Sequence, residues 1–84
     1  MSHARDVADI ITRALVDRPD AVRVTETEHH GASLVEIFVA AADLGRVIGR
    51  QGRTATAIRT LVAAAAERDE QRVTVEFRDE HGQR

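Results

Sequence analysis

The segment from Ser33 to Ala40 crowds Leu34, Val35, Ile37, Phe38 and Val39 around a single charged residue, Glu36. So dense a run of β-branched and aromatic side chains belongs in a largely buried central strand. The chain has 84 residues and no cysteine, so neither a disulfide nor a thiolate–metal framework can stand in for a core. The rest of the chain must therefore cover that strand by packing. Hydrophobic residues at 43% and charged residues at 31% give the balance of a globular chain rather than a disordered one. The expectation is one domain over residues 1–84, with a core at 4–78 and a frayed tail at 79–84.

Periodicity assigns the flanking elements. Val7, Ile10, Ile11, Ala14 and Leu15 fall on one helical stripe, read as the buried face of a helix that Pro19 stops. Val22 and Val24 alternate with Arg23 and Thr25 in a strand running toward Glu28, and His29-His30-Gly31 reads as a turn. After the central strand the period changes. Leu44, Val47 and Ile48 predict a short helix over 41–48 ending at Gly49, within which Gly45 is expected to permit close helix packing. Ile58, Leu61, Val62 and Ala65 predict a second helix over 53–67, and Val73, Val75 and Phe77 a closing strand over 72–78. The order is helix, strand, strand, helix, helix, strand. So short a chain can cover only one sheet face with its three helices, which makes the class α+β.

The net charge of −2 rules out a generally basic nucleic-acid binder, but the distribution is uneven. Residues 1–43 hold four Arg and eight acids, residues 44–66 four Arg and no acid, and residues 67–84 four Arg and six acids. All basic residues other than histidine are Arg, which suits bidentate phosphate contacts. Codon usage in a G+C-rich genome explains that bias better, since it extends to Arg outside the central segment. The charged N-terminus and the lack of a long apolar run exclude a signal peptide and a membrane span, so a cytoplasmic protein is expected.

The basic segment contains Val47-Ile48-Gly49-Arg50-Gln51-Gly52-Arg53, two glycines separated by two polar residues between two helices. A corner without side chains lets the backbone approach a ligand closely. The amides of Arg50, Gln51 and Gly52 are expected to point outward at the start of the second helix, where partial positive charge favours a phosphate. Arg53 in the first turn opposes the helix dipole by about 0.3–1 kcal/mol, a penalty that a phosphate there reverses.

The block "VIGRQGRTATAIRTLV", set between two short helices after a buried strand, resembles the KH domain, and the element order is that of its type II form. The opening "LVDRPDAVRV", the block "DLGRVIGRQGRTATAIRTLV" and the closing "RVTVEF" are similar to the stand-alone bacterial KhpA type, over residues 4–78. The resemblance implies that Gly49, Arg50, Gln51 and Gly52 clamp the backbone of a few unpaired nucleotides of single-stranded RNA. It also implies that Arg46 and Arg53, beside the loop, take part in binding the RNA and that Ile48, Ala55 and Ile58 floor a groove for the bases. Ala55 stands where many KH domains of the other type carry a larger aliphatic residue. Further implications are self-association or pairing with a larger KhpB (Jag-like) protein, and a part in post-transcriptional regulation or RNA chaperoning that influences cell envelope growth and cell shape. No cofactor, metal or catalytic residue is expected.

Four rival readings are weaker. An enzyme lacks a nucleophile, base or metal constellation: His29 and His30 are adjacent turn residues, and His3 and His81 lie near the termini. Gly45, Gly49 and Gly52 fit neither the P-loop nor the dinucleotide pattern. A KH-like interaction module that binds no RNA is opposed by the acid-free loop. A single-stranded DNA binder is the other alternative, because backbone clamping does not require a 2′-hydroxyl.

Overall fold

The architecture follows from how the central strand is covered. In a computed structural model that describes residues 2–82, the chain forms α1 (His3–Leu15), β1 (Arg23–His29), β2 (Ala32–Val39), α2 (Leu44–Ile48), α3 (Arg53–Glu67) and β3 (Arg72–Asp79). Short 3₁₀ turns at Pro19–Ala21, Ala41–Asp43 and Arg50–Gly52 join them. The sheet order is β1-β2-β3, with β1 antiparallel and β3 parallel to β2. The order α-β-β-α-α-β is the one the periodicity predicted.

Register places the core on one face. Val24 lies opposite Ile37, which lies opposite Phe77, and Val35 lies opposite Val75. All five are buried with Val39, beneath Ala8 of α1, Val47 of α2 and Ile58 and Val62 of α3. On the other face Leu34, Glu36 and Phe38 stay partly exposed. There Arg23 sits 4.3 Å from the centre of the Phe38 ring, and Arg78 Nε donates to Glu36 at 3.1 Å. The β1–β2 hairpin closes through His30 (φ 50) and Gly31 (φ 79), the two-residue turn whose twist matches the strands. His29 is the last residue of β1 rather than part of the turn.

The first helix departs from its expected phase and start. It begins at His3, capped by the Ser2 hydroxyl, which accepts from the Arg5 amide at 3.0 Å. Its buried residues are Ala4, Ala8 and Thr12, whereas Ile10 (68% exposed) and Leu15 (39%) face outward and Val7 and Ile11 are only partly covered. The helix runs antiparallel to α3: the His3 amide and ring Nδ1, at its start, meet the Asp69 carboxylate just past the end of α3 at 2.8 and 2.7 Å. Small residues at the contact let the two helices lie close. Val7 and Ile11 pack against the edge of the core, and Ile10 and Leu15 are left on the outer surface.

Two further expectations change. A Cβ on Gly45 would meet nothing within 4 Å, so that glycine serves no close helix contact. The expected tail starts later, because Asp79 completes β3 and the Gly82 amide closes a turn by donating to the Asp79 carbonyl at 2.9 Å. Gln83 and Arg84 lie outside the described residues.

One buried carboxylate positions the segment that follows the central strand. Asp43 accepts from the amides of Asp17 and Arg18, both at 3.1 Å, and so ties the end of the first helix to the start of the short second one. A buried carboxylate without such donors would be strongly destabilising.

Candidate nucleic-acid interface

The corner between the two central helices is built by glycine geometry. Val47, buried, anchors α2, and the helix stops where Gly49 takes φ 76, ψ 173, a conformation essentially confined to glycine. A Cβ there would overlap the Thr54 side chain and lie 3.0 Å from its backbone nitrogen. Gln51 (φ 56, ψ 24) and Gly52 (φ 73, ψ 12) are both left-handed, so the chain reverses within three residues and enters α3.

This reversal decides which amides are free. The Gly49 amide donates to Gly45 O at 2.9 Å, the Gly52 amide to Gly49 O at 3.1 Å, and the Arg53 amide to Arg50 O. Among the described residues no acceptor is found for the amides of Arg50 and Gln51. Gly52 caps α3 without a side-chain acceptor, and the first turn holds no acid. Amides without an acceptor beside a helix N-terminus are donors suited to an anion.

The charges around it are unequal. The side chains of Arg50, Gln51 and Arg53 are exposed, and neither arginine has an ion-pair partner among the described residues. Arg46 is engaged instead: its Nη2 lies 3.0 Å from Asp17 Oδ2 and its Nε 3.7 Å from Asp43 Oδ1. Much of its charge is therefore offset.

The expected groove floor needs correction. Ile48 is half-buried against the core, while Ala55 and Ile58 are only 1% and 2% exposed. The apolar stripe of α3 is its core face, so these two side chains have no surface to offer a base. The cleft beside the loop is a different one. It encloses about 450 Å³ between Thr56, Arg59, Thr60 and Ala63 of α3 and residues 73–76 of β3. Positions 52, 56, 60 and 63 follow one another along a helix face, so the cleft begins one turn from the loop. Sequence reasoning missed it by following apolar residues; the signal was the small and polar stripe of α3 that starts at Gly52.

The opposite end of the sheet carries a second cleft of about 370 Å³, lined by Glu26, Glu28, Asp69 and Gln71 among others. Its carboxylates disfavour phosphate. Hydrogen bonds from the His3 ring and then from the His3 amide hold the Asp69 carboxyl below the ordinary value of 3.8. Among the described residues no group of three His, Asp or Glu side chains could hold a metal ion, and no helix is long and apolar enough to cross a membrane.

The sequence from residue 5 to residue 77 matches the family described as "KhpA/KhpB, KH domain". The chain belongs to that family. It is 52% identical over 72 residues to the RNA-binding protein KhpA of Caldanaerobacter subterraneus subsp. tengcongensis, covering 86% of this chain and 96% of that one. Proteins described in the same words from Clostridium acetobutylicum and Aquifex aeolicus are 44% and 42% identical. They match across 87% and 92% of this chain and 97% and 98% of their own. No solved structure matches the chain significantly. The corner Gly49-Arg50-Gln51-Gly52 lies within the matched residues.

Proposed function

We propose that this KH domain binds single-stranded RNA without catalysis, holding the phosphate backbone on the Gly49–Arg50–Gln51–Gly52 corner while bases enter the cleft between α3 and β3. The observation that carries the reading is the pair of unpaired amides at Arg50 and Gln51, beside two unneutralised arginines, in a stretch from 44 to 66 with no acid. That the relatives are described as RNA-binding proteins supports RNA over DNA. The protein would act in the cytoplasm, in post-transcriptional regulation or RNA chaperoning.

The test is fluorescence anisotropy with a mixed-sequence single-stranded RNA and its DNA equivalent, comparing the native chain with Arg50→Asp/Gln51→Asp. Aspartate tolerates the left-handed conformation at position 51, and both glycines are kept, so the fold should persist. Circular dichroism checks that it does. Loss of RNA binding in the double variant supports the clamp. Equal binding by both proteins would move the site elsewhere, and no binding by either would favour an interaction module.

A clamp on a few nucleotides makes few phosphate contacts, so one domain alone binds weakly and two joined domains bind far better. Ile10 (68% exposed), Leu15 (39%) and, on α3, Leu61 (52%) are large apolar side chains on the outer helical layer. Among the described residues these are the large apolar side chains left exposed. We propose that a second copy, or a KhpB-type partner, packs there. Leu61→Glu should then shift the sedimentation of the protein toward the monomer, and an unchanged profile would reject this surface.

A further inference from the structure

Arg59 was assigned no role by the family resemblance, yet it crosses the cleft. Its Nε donates to the Val75 carbonyl at 3.3 Å, and its Cζ lies 5.1 Å from the centre of the Phe77 ring. Phe77 is fully buried, so the ring beneath the guanidinium cannot move away. A cation at this distance from an aromatic ring is held by it. The side chain is thus oriented before any ligand arrives, which reduces the entropy lost on binding.

The strand edge adds to the pattern. β3 is an edge strand, and the carbonyl of Val75 faces outward to meet Arg59. In an extended strand the N–H and C=O of one residue point to the same side, so the Val75 amide also faces the cleft. With Nε committed to Val75, the two Nη groups remain as a fork of parallel donors, and no carboxylate among the described residues pairs with them. The wall of the cleft therefore presents donors to whatever base enters.

We infer that Arg59 makes the cleft selective for bases that offer two adjacent acceptors, its Nη fork donating to O6 and N7 of guanine or to O2 and N3 of cytosine seated between α3 and β3. A base edge with two adjacent acceptors matches two parallel donors; guanine presents O6 and N7 in that arrangement, and unpaired cytosine presents O2 and N3. Adenine offers N7 beside an amino donor, which would meet another donor. Uracil offers a single carbonyl there. This inference rests on the RNA-binding reading, and its test separates the two.

The experiment measures anisotropy of the full chain with oligouridine RNA octamers in which one central position is U, A, C, G or 7-deazaguanine. The expected result is that the G and C octamers bind about tenfold more tightly than the A and U octamers, within the range of a bidentate arginine–base pair. The 7-deazaguanine octamer, which lacks the N7 acceptor, should fall to the level of adenine. Arg59→Lys keeps the charge but loses the fork, so it should abolish the preference, with the affinities for the G, C, A and U octamers falling within about twofold of one another. Arg59→Gln, a shorter neutral side chain, should show the same loss of preference with weaker binding to every octamer, and circular dichroism verifies the fold of both. Equal affinities for all octamers, a preference for adenine or uracil, or a preference that survives Arg59→Lys would each overturn the inference while leaving RNA binding intact. If the native chain binds no octamer, the RNA-binding reading falls and the inference with it.

Discussion

Replacing the two glycines of the corner should have very unequal consequences. Gly52 has φ 73, ψ 12 with open space where a Cβ would stand, and its neighbour Gln51 already tolerates φ 56. Gly52→Ala therefore meets only the left-handed penalty of about 1–2 kcal/mol, partly offset by a stiffer unfolded chain. Gly49 has φ 76, ψ 173, a region that costs other residues about 1–3 kcal/mol, and its added methyl would overlap Thr54. Overpacking of that kind adds roughly 1–3 kcal/mol. The net expectation is about 1 kcal/mol for Gly52→Ala and about 3 kcal/mol or more for Gly49→Ala, in a domain whose total stability is of order 5–10 kcal/mol. At roughly 4–8 °C per kcal/mol for a domain this size, thermal melting should fall by about 4–8 °C in the first case and about 12–24 °C in the second. Adding Thr54→Ala removes the overlap with Oγ1 and should recover part of the Gly49→Ala loss but none of the Gly52→Ala loss. Equal melting temperatures for the two single variants, or no coupling between positions 49 and 54, would refute this account of the corner. The comparison also explains why acids at 50 and 51, not alanines at 49 and 52, are the cleaner probe of binding.

Four more outcomes are expected. Thr12 Oγ1 is buried with no hydrogen-bond partner among the described residues, so Thr12→Val should stabilise the fold by about 1 kcal/mol in urea titration; destabilisation would mean that the hydroxyl has a partner. Gly45 lies in a helix with free space around its Cα, and Gly45→Ala should raise stability by about 0.5–1 kcal/mol; a loss would show that the added methyl is not tolerated. Binding to RNA through about three phosphates should give a slope near −2 in log K against log salt, and a slope near zero would contradict a backbone clamp. Asp69 has its folded pKa lowered from 3.8 by the His3 hydrogen bonds, so its contribution is present above pH 3.8 and is lost as pH falls through the lower folded value. The stability gap between the native chain and Asp69→Asn should accordingly close in acid, and a gap that widens there would reverse the assignment.

The elements around the corner were legible because each changes the hydrophobic period. Strict alternation at 73–77 and the dense run at 34–39 could only be strands, and the helical spacing of Leu44, Val47 and Ile48 began where that run ended. Arg53–Glu67 was expected with the observed bounds, since a glycine precedes it and alanine fills it. The first helix was recognised as a helix but its buried face was misassigned. Its apolar residues spread over an arc of about 160° at 100° per residue, and periodicity alone does not say which part of so wide a stripe meets a neighbour. Packing chose Ala4, Ala8 and Thr12, because only small side chains fit against α3.

The same limit governed the site. Gly49, Arg50, Gln51 and Gly52 were readable because backbone conformation is a local property: a glycine at a helix stop followed by another at a helix start admits few geometries. Ala55 and Ile58 were misplaced, and Arg59 overlooked, because the cleft is formed by two elements that meet only in the folded state. Its far wall, the edge of β3, exists as a wall only because that strand pairs with β2 on one side alone. The sequence by itself thus determined the elements, their order and the charged glycine corner, all set by spacing along the chain. The tertiary structure decided which helix face is core, which arginines are already paired and where the cleft between α3 and β3 opens, because those depend on contacts between residues far apart in sequence.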